Sequence, residues 1–399
     1  MGKITIDLRN DFISSLFLFF LCIPTLALSE GIKSVLYLIW IVSFFWSLFT
    51  FFIYRIYLER NLYPIFCWIL VVLLSSILNP VDFVSNLRLI ILIFSSTILT
   101  YNLLLRGGRI ALRSIGLFYF VLTLIQIISV ITHCFGYSND IYVNRFMYFF
   151  GLRVNFTPFF VFSLAVSILL IYYGETKDRM IGLIIIGIGV WFVIYENVST
   201  CIMAGLIFLF SIVATRIDFK ERLWKFMGVM VSIISLYLVF NYQMFEKFAM
   251  ILVTFLGKDI SLSGRTQIWQ QAMDRMHGWH WIIGNGYGSG YNYRLGTALN
   301  GRFVESVHNQ YLENLTDFGI VGSVFFFLIF FVVLKSISWV TYQEIFSKRI
   351  VTGALLALIV MGIASSYTFV PYFYMFVVVS LYFEGFDYET TELEMKRTA

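Results

Sequence analysis

One histidine, a few arginines and two glycine-rich stretches are the residues of this chain best suited to chemistry. His308 stands in Glu305-Ser306-Val307-His308-Asn309-Gln310-Tyr311-Leu312, directly ahead of a long apolar run. Upstream, Ser263-Gly264-Arg265-Thr266-Gln267-Ile268-Trp269 opens a helix-like stretch in which Ser263 is suited to the N-cap. Between the two lies Gly284-Asn285-Gly286-Tyr287-Gly288-Ser289-Gly290, and Asp317-Phe318-Gly319-Ile320-Val321-Gly322 follows. Arg145 and Arg153 occupy an earlier polar stretch. A neutral imidazole takes up a proton near physiological pH. A guanidinium stays charged at any working pH and offers paired, planar donors to phosphate or carboxylate oxygens. Alternating glycines form either plain turns or a nest of backbone N–H groups for phosphate. The bland alternatives are a boundary histidine capping a span, solvated arginines and turn-forming glycines.

Other combinations are weaker. His277 and His280 are spaced i and i+3, but no carboxylate or cysteine stands at ligand spacing and Gly278 weakens the helix, so no metal site is expected. Interfacial anchoring together with Trp279 and Trp281 fits that segment better. Cys22, Cys67, Cys134 and Cys201 lack metal or redox spacing and read as small buried hydrophobes. Trp269, Tyr287, Tyr291 and Tyr293 have flat faces suited to stacking on sugar rings if they line a cleft.

The elements that must position these residues follow from composition. The 399 residues are 60% hydrophobic and 13% charged, with 44 Phe, 24 Tyr, 9 Trp and only 5 Pro; mean hydropathy is +0.85. Such a chain is not disordered, collagen-like, a disulfide scaffold or a soluble α/β enzyme. The expected fold is all-α, a polytopic transmembrane bundle forming one integral membrane domain over 1–399. Runs long enough to cross hydrocarbon as helices fall at about 12–28, 34–54, 63–78, 88–105, 110–132, 158–173, 180–195, 198–215, 223–240, 308–334, 350–367 and 370–384, about twelve spans. Lys3 and Arg9 flank the first run, and Pro24 and Glu30 follow it where a cleavage pattern would be needed, so it reads as a retained span. With the N-terminus cytoplasmic, 18 of the 28 Lys and Arg fall on the cytoplasmic side, and every short connection there is basic. The C-terminus is then cytoplasmic as well, and the net charge of +5 gives no sign of a nucleic-acid partner. Two outer loops remain, at about 134–157 and, between spans nine and ten, at about 241–307. The larger one is rich in Gly, Trp, Tyr and His and is expected to carry short helices.

The order S-G-R-x-x-I-W, G-x-G-x-G-S, H-N-x-Y-L, D-F-G-I-x-G over roughly 263–322 resembles the O-antigen ligase/polymerase family, which covers Wzy-type polysaccharide polymerases and WaaL-type ligases. The twelve-span layout with a large outer loop near the C-terminus is also similar. The resemblance implies an inverting glycosyltransferase of the bacterial cytoplasmic membrane, working on the outer face without metal or cofactor. Its donor would be an undecaprenyl-diphosphate-linked glycan and its acceptor a sugar hydroxyl on a second lipid-linked unit. A flippase and a chain-length regulator are the partners this implies. By position, His308 matches the family's catalytic histidine and Arg265 the arginine opening its outer loop. Arg145 and Arg153 match the basic residues of its earlier outer loop. Asn309, Tyr311, Gly286 and Gly288 are the further candidates for holding diphosphate or glycan. The family often shows Ser or Thr followed by Arg near the start of the eighth span; Val198-Ser199-Thr200-Cys201 has no arginine, and the roles of Glu196 and Asn197 ahead of it stay open. Polymerase is the leading expectation and ligase the runner-up. A lipid-linked sugar flippase or transporter is the reading from another class, disfavoured because no repeat symmetry relates the halves.

Overall fold

The computed structural model describes residues 8–25, 28–79, 83–135, 147–151, 155–214, 265–287, 293–294, 303–304, 307–338, 345–363, 365–367 and 369–382. The helices are α1 (Leu8–Leu21), α2 (Glu30–Ile53), α3 (Tyr63–Leu78), α4 (Phe83–Leu104), α5 (Gly108–Thr132), α6 (Phe156–Tyr173), α7 (Thr176–Tyr195), α8 (Ser199–Ala214), α9 (Arg265–Asp274), α10 (His280–Ile283), α11 (Gln310–Ser338), α12 (Ile345–Met361) and α13 (Pro371–Leu381). A two-residue antiparallel ladder joins β1 (Tyr293–Arg294) to β2 (Phe303–Val304) in the larger loop, beside the short helices expected there. Among the described residues seven helices are long and apolar enough to cross a membrane, and Phe12–Leu21, Ser199–Ile212 and Pro371–Leu381 are shorter apolar helices. The protein is a polytopic helical membrane protein. Helices occupy eleven of the twelve expected runs, and the ninth, 223–240, lies outside the described residues.

Where boundaries moved, local chemistry accounts for it. The first helix stops at Leu21, because Pro24 disfavours helical geometry at the residue before it and has no N–H to continue the ladder. The fourth helix begins at Phe83 rather than 88. This takes Arg88 into the helix, where its guanidinium lies 4.0 Å from the centre of the Tyr37 ring and desolvation is offset by cation–π attraction.

Packing inverts the soluble pattern. On α2 the residues turned inward are Leu36, Trp40, Ser43, Ser47 and Thr50, while Phe45, Phe49 and Phe52 are exposed. Small hydroxyl side chains let helices approach closely, and large apolar ones suit lipid. The inward hydroxyls satisfy themselves on their own helix, Ser43 donating to Ile39 O and Ser47 to Ser43 O, both at 2.7 Å. Burial ranks the spans: 83% of the α6 window and 72% of the α4 window are buried, against 28% for α2. All eleven residues of α13 are buried too, so α4, α6 and α13 form the centre and α2 lies at the rim.

Polar contacts collect at the two ends of the bundle. At one end, Arg113 at the start of α5 meets Asp178 at 2.9 Å, Asp178 and Glu175 form the capping box of α7, and the Tyr173 and Ser347 hydroxyls bond to each other. Tyr382 donates to Glu59 there as well. The other end holds the C-termini of α3, α5, α7 and α12 and the N-termini of α4, α6, α8, α11 and α13, and the candidate site lies there.

The α6–α7 pair depends on a glycine, since a Cβ at Gly182 would sit 2.7 Å from the Ser167 carbonyl oxygen. Gly182→Leu is expected to lower the melting temperature in detergent, at a cost of roughly 1–3 kcal/mol of overpacking. Gly187→Leu, on the open face of the same helix, should melt like the parent. Equal melting of the two variants would contradict the packing described.

Candidate active site

His308 sits where the chain turns into α11. Its φ of 53° is left-handed, a conformation that non-glycine residues rarely adopt and that clusters at functional sites. The next residue is the cap: Asn309 Oδ1 accepts the N–H groups of Tyr311 and Leu312, both at 3.1 Å. Glu313 N–H donates to Asn309 O at 2.8 Å and Gln310 N–H to Gly362 O at 2.7 Å. The cap bonds fix the orientation of the Asn309 amide, and Nδ2 is left buried without a hydrogen-bond partner among the described residues. An orphan donor of this kind costs roughly 1–3 kcal/mol. Tyr311 is an anchor, its hydroxyl donating to Ile359 O at 2.6 Å and its ring stacking on Phe327.

The first turns of α11 present a polar face that the sequence reading did not single out. Gln310, Glu313, Asn314 and Asp317 are all buried, and their spacing places them on one side of the helix. Gln310 Nε2 donates to Asn314 Oδ1 at 2.9 Å. The segment after α12 closes over this face, with Ser366 donating its hydroxyl to the Glu313 carboxylate and Tyr367 its N–H to Gln310 Oε1. The available signal was four polar residues at i, i+3, i+4 and i+7 opening an apolar run, since ionisable groups at membrane depth are functional candidates by default.

α11 is broken at Gly319 (φ 67°, ψ −167°), a region that only glycine enters freely. No helical ladder runs through such a residue, so the carbonyls ahead of it need other donors. The glycine-rich segment of the outer loop provides them. Asn285 N–H donates to Thr316 O and Gly286 N–H to Asp317 O, both at 2.8 Å. Asn285 Nδ2 adds a 3.0 Å bond to Thr316 O, and Ser75 of α3 a 2.9 Å bond to Asp317 O. The approach is reciprocal: a Cβ at Gly319 would be 2.3 Å from Ile282 O, and one at Gly284 2.3 Å from Asp317 C. Asn79 Nδ2 donates to Gly284 O at 3.2 Å. Asn86 holds Tyr287 from both sides, Nδ2 donating to its carbonyl at 2.7 Å and Oδ1 accepting its N–H at 3.2 Å. The N–H of Gly286 is therefore committed to the broken helix.

α9, opened by Arg265, is docked on the same platform. Ile268, Trp269, Ala272 and Met276 are buried, and the Trp269 indole N–H donates to Val307 O at 3.0 Å. Trp269 is thus enclosed in the packing instead of open to a sugar face, and Tyr287 is stacked on Phe369 at 4.4 Å. In α10, His280 Nδ1 lies 3.1 Å from Gly284 O.

Arg145, Arg153 and Gly288 lie outside the described residues, as does the Arg265 side chain, while the backbone of Arg265 begins α9. What flanks the two early arginines is well held. Phe149 N–H donates to Ser129 Oγ at 3.0 Å and Phe150 N–H to Gln126 Oε1 at 3.2 Å, both on α5. The Tyr148 hydroxyl donates to Glu196 at the end of α7, which gives Glu196 a partner in the earlier outer loop. The site thus brings together the His308 turn, α9, the 284–287 segment, the C-terminal ends of α3 and α12 and the N-terminal end of α4.

Residues 162–327 match the family model described as O-antigen ligase. The chain carries an O-antigen ligase/polymerase family domain. That family consists of membrane enzymes that transfer lipid-linked glycans, and the matched region contains Arg265, the 284–287 segment, His308, the polar face of α11 and Gly319. No curated protein matches the chain.

Two substitutions test this platform. Gly319→Ala forces a Cβ onto the Ile282 carbonyl and is expected to release the 284–287 amides to hydrogen exchange. Asn86→Ala removes two hydrogen bonds, each contributing about 1 kcal/mol, and should speed exchange at Tyr287 while the α6 amides stay protected. Unchanged exchange at 284–287 in both variants would contradict this arrangement.

Proposed function

We propose that the protein is a polysaccharide polymerase, an inverting glycosyltransferase that moves a glycan from undecaprenyl diphosphate onto a sugar hydroxyl of a second lipid-linked repeat unit. The observation carrying this reading is the docking of α9, which Arg265 opens, against the peptide that leads into the strained His308 turn. In the reaction His308 takes the proton of the acceptor hydroxyl as its oxygen bonds to the anomeric carbon. The bond from that carbon to the diphosphate oxygen breaks, and undecaprenyl diphosphate leaves with the electron pair. Arg265, with Arg145 and Arg153 of the earlier loop, meets the charge that develops there, and donors aimed at developing charge usually contribute most to catalysis. Arginines in that role require no divalent ion. The buried Nδ2 of Asn309 supports a substrate contact beside the base. Tyr311 supports the site from beneath, and Gly286 and Gly288 shape the loop around it.

The same reading has twelve spans, both termini in the cytoplasm and the site on the outer face of a bacterial cytoplasmic membrane. One topological fact supports the ninth span. α8 starts beside Thr157 and runs about 24 Å away from the site end over its 16 residues, yet α9 is back at that end. A ligase passing the glycan to a core oligosaccharide or other cell-wall acceptor shares all the donor-side chemistry and is the second reading.

His308→Ala and Arg265→Ala should each assemble in the membrane with parental yield and melting temperature. In a reconstituted assay with purified lipid-linked repeats, each should abolish chain extension. Parental extension by His308→Ala removes the imidazole from the mechanism. In cells lacking the protein, accumulation of single-repeat lipid-linked glycan fits polymerisation, whereas long untransferred lipid-linked chains fit ligation.

A further inference from the structure

We infer that Trp269 is a positioning residue for the transfer reaction, holding the Arg265 helix and the His308 peptide in one fixed register through its indole N–H. This deepens the reading above and rests on it. The bond is made to Val307 O at 3.0 Å, with Trp269 and Val307 each 2% exposed. That oxygen belongs to the same planar peptide unit as the His308 nitrogen. Holding it fixes the plane from which the left-handed His308 departs, and with it the direction in which the imidazole leaves the chain. On the other side of His308, the Asn309 cap fixes the next turn. The histidine is therefore braced from both neighbours, by α11 on one side and by α9 on the other.

Trp269 stands one helical turn after Arg265, so the tether reaches the arginine through the shortest rigid path a helix offers. α9 has little freedom to slide, because Ile268, Ala272 and Met276 are buried and Asn285 Nδ2 reaches Met276 Sδ at 3.4 Å while bonding Thr316 O. Burial alone would be served by phenylalanine. The indole donor adds direction, and a misplacement of about 1 Å between reacting groups costs on the order of a hundredfold in rate.

The test is Trp269→Phe in the full-length protein in nanodiscs, with Trp279→Phe, a half-exposed neighbour, as control. The expected result is kcat per bound donor lowered by about tenfold or more, with donor KM, donor stoichiometry and melting temperature as in the parent. Amide exchange should quicken in both α9 and 307–311 while α4 and α6 stay unchanged, and Trp279→Phe should behave as the parent throughout. Parental kcat overturns the inference, as does a loss matched by an equal drop in donor stoichiometry, which marks a merely structural role. If the parent protein itself joins no glycan, the functional reading fails. The exchange measurement then stands by itself: coupled quickening of the two segments upholds the tether, and unchanged exchange overturns it.

Discussion

Buried backbone carbonyls must be satisfied within the protein, and at Gly319 this requirement organises the site end of the bundle. A helix broken near the bilayer surface exposes carbonyls that neither lipid nor its own ladder can satisfy. Here the carbonyls of Thr316 and Asp317 accept two backbone N–H groups, one side-chain amide and one hydroxyl, supplied by the outer loop and by α3. A loop recruited to cap a broken helix cannot also be placed loosely. The residues flanking the caps, Gly284 and Tyr287, are held by Asn79 and Asn86 at the ends of α3 and α4. The break thereby fixes the loop segment that caps it.

This gives the two glycine motifs a shared physical meaning. Gly284 and Gly319 lie where two backbones approach closer than any Cβ allows, Gly284 against Asp317–Phe318 and Gly319 against Ile282–Ile283. Adjacent polar residues complete the joint, because Asn285 satisfies Thr316 twice, once from its backbone and once from its side chain. The joint also explains how a site assembled from sequence positions as distant as 75, 86, 269, 285 and 308 remains in register. The 284–287 segment is bonded to α11 and to residues at the ends of α3 and α4, whose bodies are packed in the bundle, and Trp269 is bonded to the peptide that leads into α11.

Much of this was legible in the sequence, and the remainder divides by physical cause. Span existence was plain from apolar runs, because hydrocarbon thickness sets a length that composition reveals directly. His308, Arg265 and the glycine motifs stood out by residue type and order. What the glycines contact did not, since close approach of two backbones leaves no mark on either segment alone. Trp269 looked like a sugar platform because an aromatic in an outer loop is compatible with stacking or with burial, and only its indole bond to Val307 O decides. The polar face of α11 was readable by periodicity, yet it was masked by the motif letters printed through it. Ser75, Asn79 and Asn86 are single polar residues at span ends, where polar residues are ordinary, so nothing marked them as tethers.

The same accounting bears on how anionic groups are recognised at this site. A helix N-terminus is a ready anion site when its first N–H groups are free. In α11 they are not: those of Gln310, Tyr311, Leu312 and Glu313 are taken by Gly362 O, the Asn309 side chain and Asn309 O. The Gly286 N–H is spent on Asp317 O, which removes one member of the nest that alternating glycines suggest. Buried Glu313 and Asp317 add carboxyl groups to the same turns, so the neighbourhood offers phosphate little attraction from its backbone. Positive charge for a diphosphate must then come from side chains. Under the proposed function that duty would fall to arginines, whose fork geometry suits phosphate oxygens. An internally satisfied backbone, with charge left to side chains, would separate two tasks, placement and charge, that a helix N-terminus would have combined.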